Sequence, residues 1–277
     1  MILVTGATGN VGSELIRNLH AAGAPVRALV RKENSAVPGG IECAVGDLSQ
    51  PASISNALIG VTRVFLLGGY SDMPAVLNRL RIAKVQHVVL LSSRSIIGGQ
   101  SSNAIVKMWM TSEDAVMSSG IPWTILRPSS FMSNALRWRS DIRASRPVRV
   151  HFPNIPIALI DPYDIAAAAA VVLTTGRQRN KTYELSGPIA MLPAEQLEIL
   201  GRAIGRKLHA QFVPDNEAFA DLLRQSSEEF ADAIFRFYAK GEFDDSRVVS
   251  TVTHLTGQAP RSFEQWAINH ASEFLES

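Results

Sequence analysis

The chain has 277 residues, of which 46% are hydrophobic and 19% are charged, a composition that excludes a disordered chain and allows a sizeable buried core. Its 27 basic and 25 acidic residues give a formal net charge of +2, and no long basic block indicates direct nucleic-acid binding. The single cysteine, Cys43, cannot form an intrachain disulfide, and the six histidines are scattered singly. Because no Cys/His spacing resembles a zinc site, we expect no metal.

The amino terminus starts directly with an apolar run, without the basic segment of a secretory signal. No stretch approaches the roughly 18 to 20 apolar residues that a membrane span needs. We therefore expect a cytoplasmic protein without a membrane partner.

Short β-branched runs alternate with helix-length segments through the first half of the chain, as in a parallel sheet covered by helices. The pattern predicts strands over 2–5, 26–30, 41–45, 62–67, 87–91 and 122–126, and helices over 11–22 and 104–119. This indicates an α/β fold of the Rossmann type, with a doubly wound parallel sheet. Residues 1–130 are expected to form its cofactor-binding core.

The alternation breaks down after Pro128, which suggests a smaller C-terminal α/β substrate lobe over 131–277, with some later segments returning to the core. For this lobe we predict strands over 181–185 and 209–213 and helices over 194–204, 217–225 and 230–239. The alanine run 166–170 predicts a closely packed helix face.

A glycine-rich turn lies where the first predicted strand meets the first predicted helix, in the sequence TGATGNVG at 5–12. Gly6 permits a tight turn, Gly9 leaves room for a pyrophosphate, and Gly12 lets the helix pack on the strand. The helix amino terminus adds free N–H groups and partial positive charge. The predicted cofactor contacts at this turn are Gly6, Thr8, Gly9, Asn10, Val11 and Gly12.

Arg31 and Lys32 follow the second predicted strand, where an acidic residue would accept the adenosine ribose hydroxyls. An arginine can hold a 2′-phosphate instead, so the sequence favours NADP(H) over NAD(H). Ordinary solvated charges at a strand end are the alternative interpretation.

The ends of later predicted strands supply further candidates. The segment Leu67-Gly68-Gly69 after the fourth strand offers a small-residue edge that a cofactor can cross. Ser92 and Ser93 end the fifth strand near the expected nicotinamide. Each serine can equally be a simple strand-end hydroxyl.

The spacing GxxGxxG at 6–12 resembles the short-chain dehydrogenase superfamily in its extended and atypical branches. Segment 113–134, EDAVMSSGIPWTILRPSSFMSN, resembles the NmrA-like group, as do 164–166 and 255–266, LTGQAPRSFEQW. That group includes NADPH:quinone reductase-type enzymes and redox-sensing regulators. The resemblance implies cofactor contacts at Asp47, which would meet the adenine, and at Leu48 and Pro128.

Ordinary members of the superfamily use a tyrosine and a lysine four residues later as a proton-transfer pair, and none of the four tyrosines here has that lysine. The family pattern implies Ile105 and Trp109 at the two positions. Lys107 lies two residues from each of these positions, which on a helix is a rotation of about 200°. Its side chain is therefore expected to point elsewhere unless the helix start is irregular. Trp109 can stack on the nicotinamide or belong to the core. The catalytic residues stay unknown, with Lys107, Trp109 and Ser93 as weak candidates.

Three functions fit these residues. The first is an NADPH-dependent reductase for a small-molecule substrate, such as a quinone or another activated acceptor, which needs no acid on the enzyme. The second is a non-enzymatic NADP(H) sensor that acts through a protein partner. The third is a biosynthetic reductase or isomerase that uses lobe residues such as Tyr163, Asp164 and His151. The sequence is compatible with a homodimer and leaves the oligomeric state open.

Overall fold

A parallel sheet forms the centre of the computed structural model, which describes residues 1–33, 35–38 and 40–275. In chain order the strands are β1 (Ile2–Val4), β2 (Val26–Val30), β3 (Glu42–Val45), β4 (Arg63–Leu67), β5 (His87–Leu91), β6 (Trp123–Pro128), β7 (Val148–Val150), β8 (Lys181–Leu185) and β9 (Ala210–Phe212). The seven-stranded sheet has the spatial order β3-β2-β1-β4-β5-β6-β8. The order reverses beside β1, and in such sheets ligands bind at this switch point, outside the carboxyl ends of the strands.

Helices lie between and after these strands. In chain order they are α1 (Asn10–Ala21), α2 (Met73–Ile82), α3 (Ala104–Met117), α4 (Arg139–Arg143), α5 (Pro162–Thr175), α6 (Pro193–Ala203), α7 (Asp215–Gln225), α8 (Glu228–Ala239), α9 (Thr251–Thr256), α10 (Phe263–Asn269) and α11 (Ser272–Leu275). No helix in the described part of the chain combines the length and apolarity that crossing a membrane requires.

Both faces of the large sheet are covered, as a doubly wound fold requires. On one face, Leu15 and Ile16 of α1 pack with Ile165 and Ala169 of α5. On the other face, the buried side of α2 packs with the end of α3. The alanine run of α5 lets α1 and α5 approach closely, which agrees with the predicted helix face.

The C-terminal part has a hydrophobic cluster of its own, built around Trp138, Trp266 and Phe274. The strands β7 and β9 pair in parallel beside it. Strand β8 does not belong to this lobe: its residues pair with β6, from Thr124 opposite Lys181 to Pro128 opposite Leu185. Its assignment to the substrate lobe was therefore wrong, because strand periodicity does not reveal which sheet a strand joins.

Candidate functional site

The glycine-rich turn joins β1 to α1 at the switch point of the sheet. Gly6 has a φ of +61°, which favours glycine, and the Gly9 N–H donates to the Gly6 carbonyl oxygen at 2.9 Å. A Cβ on Gly12 would lie 2.1 Å from that oxygen, so the helix can approach the turn only because Gly12 has no side chain. A Cβ on Gly9 would lie 3.3 Å from the same oxygen, a tight contact but one that a small adjustment relieves.

The amino terminus of α1 is open on its outer side. Within the described ranges no side chain caps the first N–H groups of α1, and Thr8, Gly9 and Asn10 are exposed while Val11 is buried. The Asn10 amide donates to the Ser133 hydroxyl at 3.0 Å. Free N–H groups with an exposed backbone are the arrangement that binds phosphate at helix amino termini.

Arg31 and Lys32 are exposed immediately after β2, at the same edge of the sheet. Asp47 is close enough for the Arg31 charge to help lower its pKa, although the main cause is the hydrogen bond from the Ser49 N–H, at 2.9 Å. The Leu48 side chain packs in the core at 4% exposure. Leu48 can therefore meet a ligand only through its backbone.

The end of β4 lies against the glycine turn and against α3. A Cβ on Gly6 would meet Leu67 Cδ1 at 2.4 Å, and a Cβ on Gly68 would meet the Trp109 ring at 2.9 Å. The Gly69 N–H donates to the Ser112 hydroxyl at 2.9 Å. Small residues after β4 thus bring α3, with Trp109, close to the carboxyl edge of the sheet.

A cavity of about 360 Å³ opens beside this edge. Its walls come from the ends of β5 and β6, from α3, from the segment after β6 and from the region of α8, and they include Leu91, Ser92, Ser93, Ile105, Trp109, Pro128, Ser130, Phe131, Asn134, Phe237, Tyr238, Phe243 and Asp245. Both positions that correspond to the missing pair, Ile105 and Trp109, face this cavity. Lys107 is exposed on α3 and is absent from the residues that line the cavity.

The two serines after β5 differ in their bonding. The Ser92 hydroxyl donates to Glu113 Oε1 at 2.5 Å, and Arg127 Nε donates to the same oxygen at 2.8 Å. The Ser93 hydroxyl accepts from the Ser95 N–H at 3.2 Å. Ser92 is thus held in a buried ionic cluster, whereas Ser93 caps the next turn at the cavity wall.

Sequence reasoning missed the polar group on the opposite wall. The Tyr238 hydroxyl lies 3.2 Å from the Ser130 hydroxyl, and the Ser130 N–H donates to Asp245 Oδ2 at 2.8 Å. Burial is the main cause that raises the pKa of Asp245 to about 6, although Arg94 Nη1 lies 3.6 Å from Asp245 Oδ1. Burial also raises the pKa of Tyr238. No local motif marks these residues, because α8 and the segment after it reach the cavity only through tertiary packing.

Tyr163 and Asp164 are absent from the residues that line the cavity. The Arg261 guanidinium lies 3.3 Å from the centre of the Tyr163 ring, and the Arg261 N–H donates to the Asp164 carboxylate at 2.8 Å. These contacts brace the C-terminal region against α5. His151 lies on a smaller pocket beside the cavity, with Nε2 at 2.8 Å from Asp221.

Comparison with known proteins assigns this architecture to a family. A sequence model of the NmrA-like family matches residues 1–267. The chain is 36% identical over 280 residues to a (4-alkanoyl-5-oxo-2,5-dihydrofuran-3-yl)methyl phosphate reductase of Streptomyces griseus subsp. griseus, and 32% identical over 285 residues to an NAD(P)H azoreductase of Xenophilus azovorans. Each alignment covers 99% of both chains.

A solved structure shares the fold. The NADPH-dependent quinone oxidoreductase of Escherichia coli, in complex with NADPH, superposes with a TM-score of 0.80 at 24% identity, over 97% of this chain and 99% of that one. The predicted Rossmann-type fold and the resemblance to the NmrA-like group are confirmed.

The geometry of the turn makes Gly9 and Gly12 differ in their response to substitution. Gly9→Val should keep the fold, because its backbone is extended (φ −86°), yet should block a pyrophosphate and so weaken NADPH binding. Gly12→Ala should instead destabilise the protein, since its Cβ would overlap the turn. Cofactor titration and thermal melting of both variants check this. Unchanged NADPH affinity in a folded Gly9→Val protein would contradict the assignment of the turn as a cofactor site.

The raised pKa of Asp245 predicts a pH dependence of stability. The pKa of Asp245 is 3.8 in its ordinary state and about 6 in the fold. Between these two pH values the folded protein holds a proton on Asp245 that the unfolded chain has lost. The free energy of unfolding therefore falls as pH rises through this window. Asp245→Asn should remove the effect and gain up to about 3 kcal/mol over the wild type across the window. Urea unfolding from pH 4 to 7 measures it.

Asp244 provides the control of opposite sign. It is exposed, and hydrogen bonds from Ser246 lower its pKa, so it stabilises the fold above its unfolded pKa and that contribution is lost on acidification. Asp244→Asn should therefore lose stability relative to the wild type as pH rises. A difference between Asp245→Asn and the wild type that stays constant with pH would rule out the buried, proton-holding carboxyl.

Proposed function

Because this chain belongs to the NmrA-like family, we propose that it is an NADPH-dependent reductase that delivers hydride to quinone-like or otherwise activated acceptors. The observation that carries the proposal is the cavity at the carboxyl edge of the sheet, whose α3 wall includes Ile105 and Trp109. These are the positions at which the family pattern implies the proton-transferring tyrosine and lysine. The relatives named as reductases support a nicotinamide-dependent reductase in general.

The wall of the cavity limits which acceptors can react. NADPH, when bound, supplies the hydride, and the acceptor must then carry the negative charge until it is protonated. Ile105 offers no proton, and the Trp109 ring, packed on Gly68, can only shape or cover the pocket. An electron-poor conjugated acceptor spreads this charge and takes its proton from solvent, whereas an unactivated ketone needs an acid at its oxygen.

The cofactor end of the site favours the 2′-phosphorylated dinucleotide. Arg31 and Lys32 are exposed after β2, and Asp47 lies close enough to Arg31 to feel its charge. The open amino terminus of α1 is suited to the pyrophosphate. A basic pair at this position can hold a 2′-phosphate by charge-assisted hydrogen bonds.

Arg31→Ala tests this preference. Loss of a charge-assisted contact to the 2′-phosphate should cost about 1.5 to 3 kcal/mol of NADPH binding, which is about tenfold to a hundredfold in affinity, while NADH binding should hardly change. Arg81→Ala, which removes an exposed charge at the end of α2, should affect neither cofactor. An Arg31→Ala protein that binds both cofactors equally weakly would show that Arg31 supports the structure instead.

NADPH consumption across a panel of quinones, azo compounds, aldehydes and ketones tests the reaction itself. We expect turnover on the quinones and other activated acceptors and none on simple ketones. Tight NADPH binding without turnover on any acceptor would contradict a reductase and favour a redox sensor.

Tyr238→Phe sharpens the test, because Tyr238 is a tyrosine of the cavity wall, with its hydroxyl 3.2 Å from that of Ser130, and is therefore the alternative proton donor to solvent. If solvent supplies the proton, the maximal rate at saturating NADPH should stay within about tenfold of the wild type, and Lys107→Ala should also keep most of it. A loss of about a thousandfold at unchanged cofactor affinity is what removal of a general acid costs. Such a loss in Tyr238→Phe or in Lys107→Ala would show that the replaced residue, and not solvent, donates the proton.

A further inference from the structure

A side pocket of about 50 Å³ opens next to the candidate cavity and shares Ser130, Asn134 and Tyr238 with it. Since about 10 to 15 Å³ of such space accommodates one water molecule, the pocket accommodates roughly three to five waters, or one small group of that size. An aromatic ring needs the larger cavity, so a ligand that occupies both would place only a small substituent here.

Arg137 supplies the positive charge of this pocket. It lies in the short helical segment Met132–Trp138, directly after the wall of the larger cavity, and its guanidinium carbon is 5.4 Å from the centre of the Trp138 ring. No carboxylate pairs with Arg137 in the ranges that the structure describes, and the neutral Tyr238 lines the same pocket. Its neighbour Arg139 faces Glu273 at 3.6 Å. Arg137 is thus a cation that faces a pocket.

The surroundings of Arg137 leave that charge uncompensated. Arg137 is exposed, so its side chain is accessible to ligands, and the protein atoms packed around its guanidinium lower its pKa by desolvation. Among the described residues, none of the side chains that line this pocket is acidic. Asp221 lies behind His151, at 2.8 Å from its Nε2, and it also receives Arg149 at 2.8 Å and pairs with Arg224. Asp221 is therefore neutralised by basic residues other than Arg137.

We propose that Arg137 anchors an anion subsite, which binds a carboxylate or phosphate group of the acceptor while the reducible part of the acceptor occupies the larger cavity. The planar guanidinium can donate two parallel hydrogen bonds to either group. Asn134 and Ser130 stand at the junction of the two spaces and can bind the linking part of the ligand. The reaction in the larger cavity rests on the proposed function; anion binding at Arg137 does not.

Calorimetry on NADPH-saturated protein tests the binding, with phenyl phosphate, benzoate and the neutral analogue benzamide as probes. Saturation with NADPH occupies the anion sites that the cofactor itself uses. We expect at least one anion to bind more tightly than benzamide, and the tighter of the two identifies phosphate or carboxylate as the preferred group. Arg137→Gln should weaken that binding by about tenfold to a hundredfold.

Two further variants serve as controls, one for the loss of any nearby arginine and one for the positive charge without the guanidinium. Arg139→Gln removes a neighbouring exposed arginine and should leave anion binding unchanged, while Arg137→Lys keeps the charge without the planar fork and should keep part of it. Anions that bind no better than benzamide, or that bind Arg137→Gln as tightly as the wild type, would overturn the subsite.

Kinetics on a neutral quinone and on its carboxylated derivative connect the subsite to turnover. Arg137→Gln should raise KM for the carboxylated quinone by about tenfold to a hundredfold, with kcat and the neutral quinone unaffected. If neither quinone is reduced, the proposed function fails, and calorimetry still decides the subsite. If both are reduced with equal KM in wild type and variant, the subsite is wrong and the proposed reductase stands.

Discussion

The contact on which the site depends is the approach of α1 to the turn that precedes it. Gly12 lies so close to the Gly6 carbonyl oxygen that a Cβ would stand 2.1 Å from it. This approach sets the amino terminus of α1 directly outside the end of β1, at the reversal of strand order. The free N–H groups, the helix dipole and the exposed Gly9 backbone then point to one place, where a phosphate gains from all three.

The cavity lies at the same edge of the sheet, and its walls come from two separate parts of the chain. The ends of β5 and β6 and the face of α3 form its inner wall, while α8 and the segment after it bring Tyr238, Phe243 and Asp245 to the other side. Arg94 compensates only part of the charge of Asp245, which is why burial raises the pKa of this carboxyl. The C-terminal part thus decides the chemistry of the cavity wall opposite the carboxyl edge of the sheet.

In the proposed reductase, Ile105 and Trp109 on one side and Arg137 on the other would contact different parts of an acceptor. Ile105 and Trp109 make the inner wall apolar, which favours acceptors that carry charge without help from the enzyme. Arg137 offers its charge in the side pocket, away from that wall. In the proposed reductase, reactivity is set by what the inner wall lacks, whereas recognition is set by a cation that the lobe provides.

The sequence by itself determined the elements with local signatures. The sequence predicts strands 26–30, 87–91 and 181–185 with the bounds that the structure has, and α1 within one residue at each end. The burial of β2 and β5 and the glycine turn before α1 leave their pattern within a few residues. Strand β8 is exposed at its start, so burial does not explain its prediction. The helix α2 was not assigned explicitly, although Asp72 caps it and Pro74 lies in its first turn.

Tertiary structure alone decided which distant segments meet. The place of β8 beside β6, the commitment of Ser92 to Glu113, and the arrival of Tyr238 and Arg137 at adjoining pockets all join residues far apart in the chain. Periodicity and turn chemistry report only on neighbours within a few residues. Contacts between remote segments depend instead on how whole helices pack, and that packing is set by the shape and volume of many side chains at once.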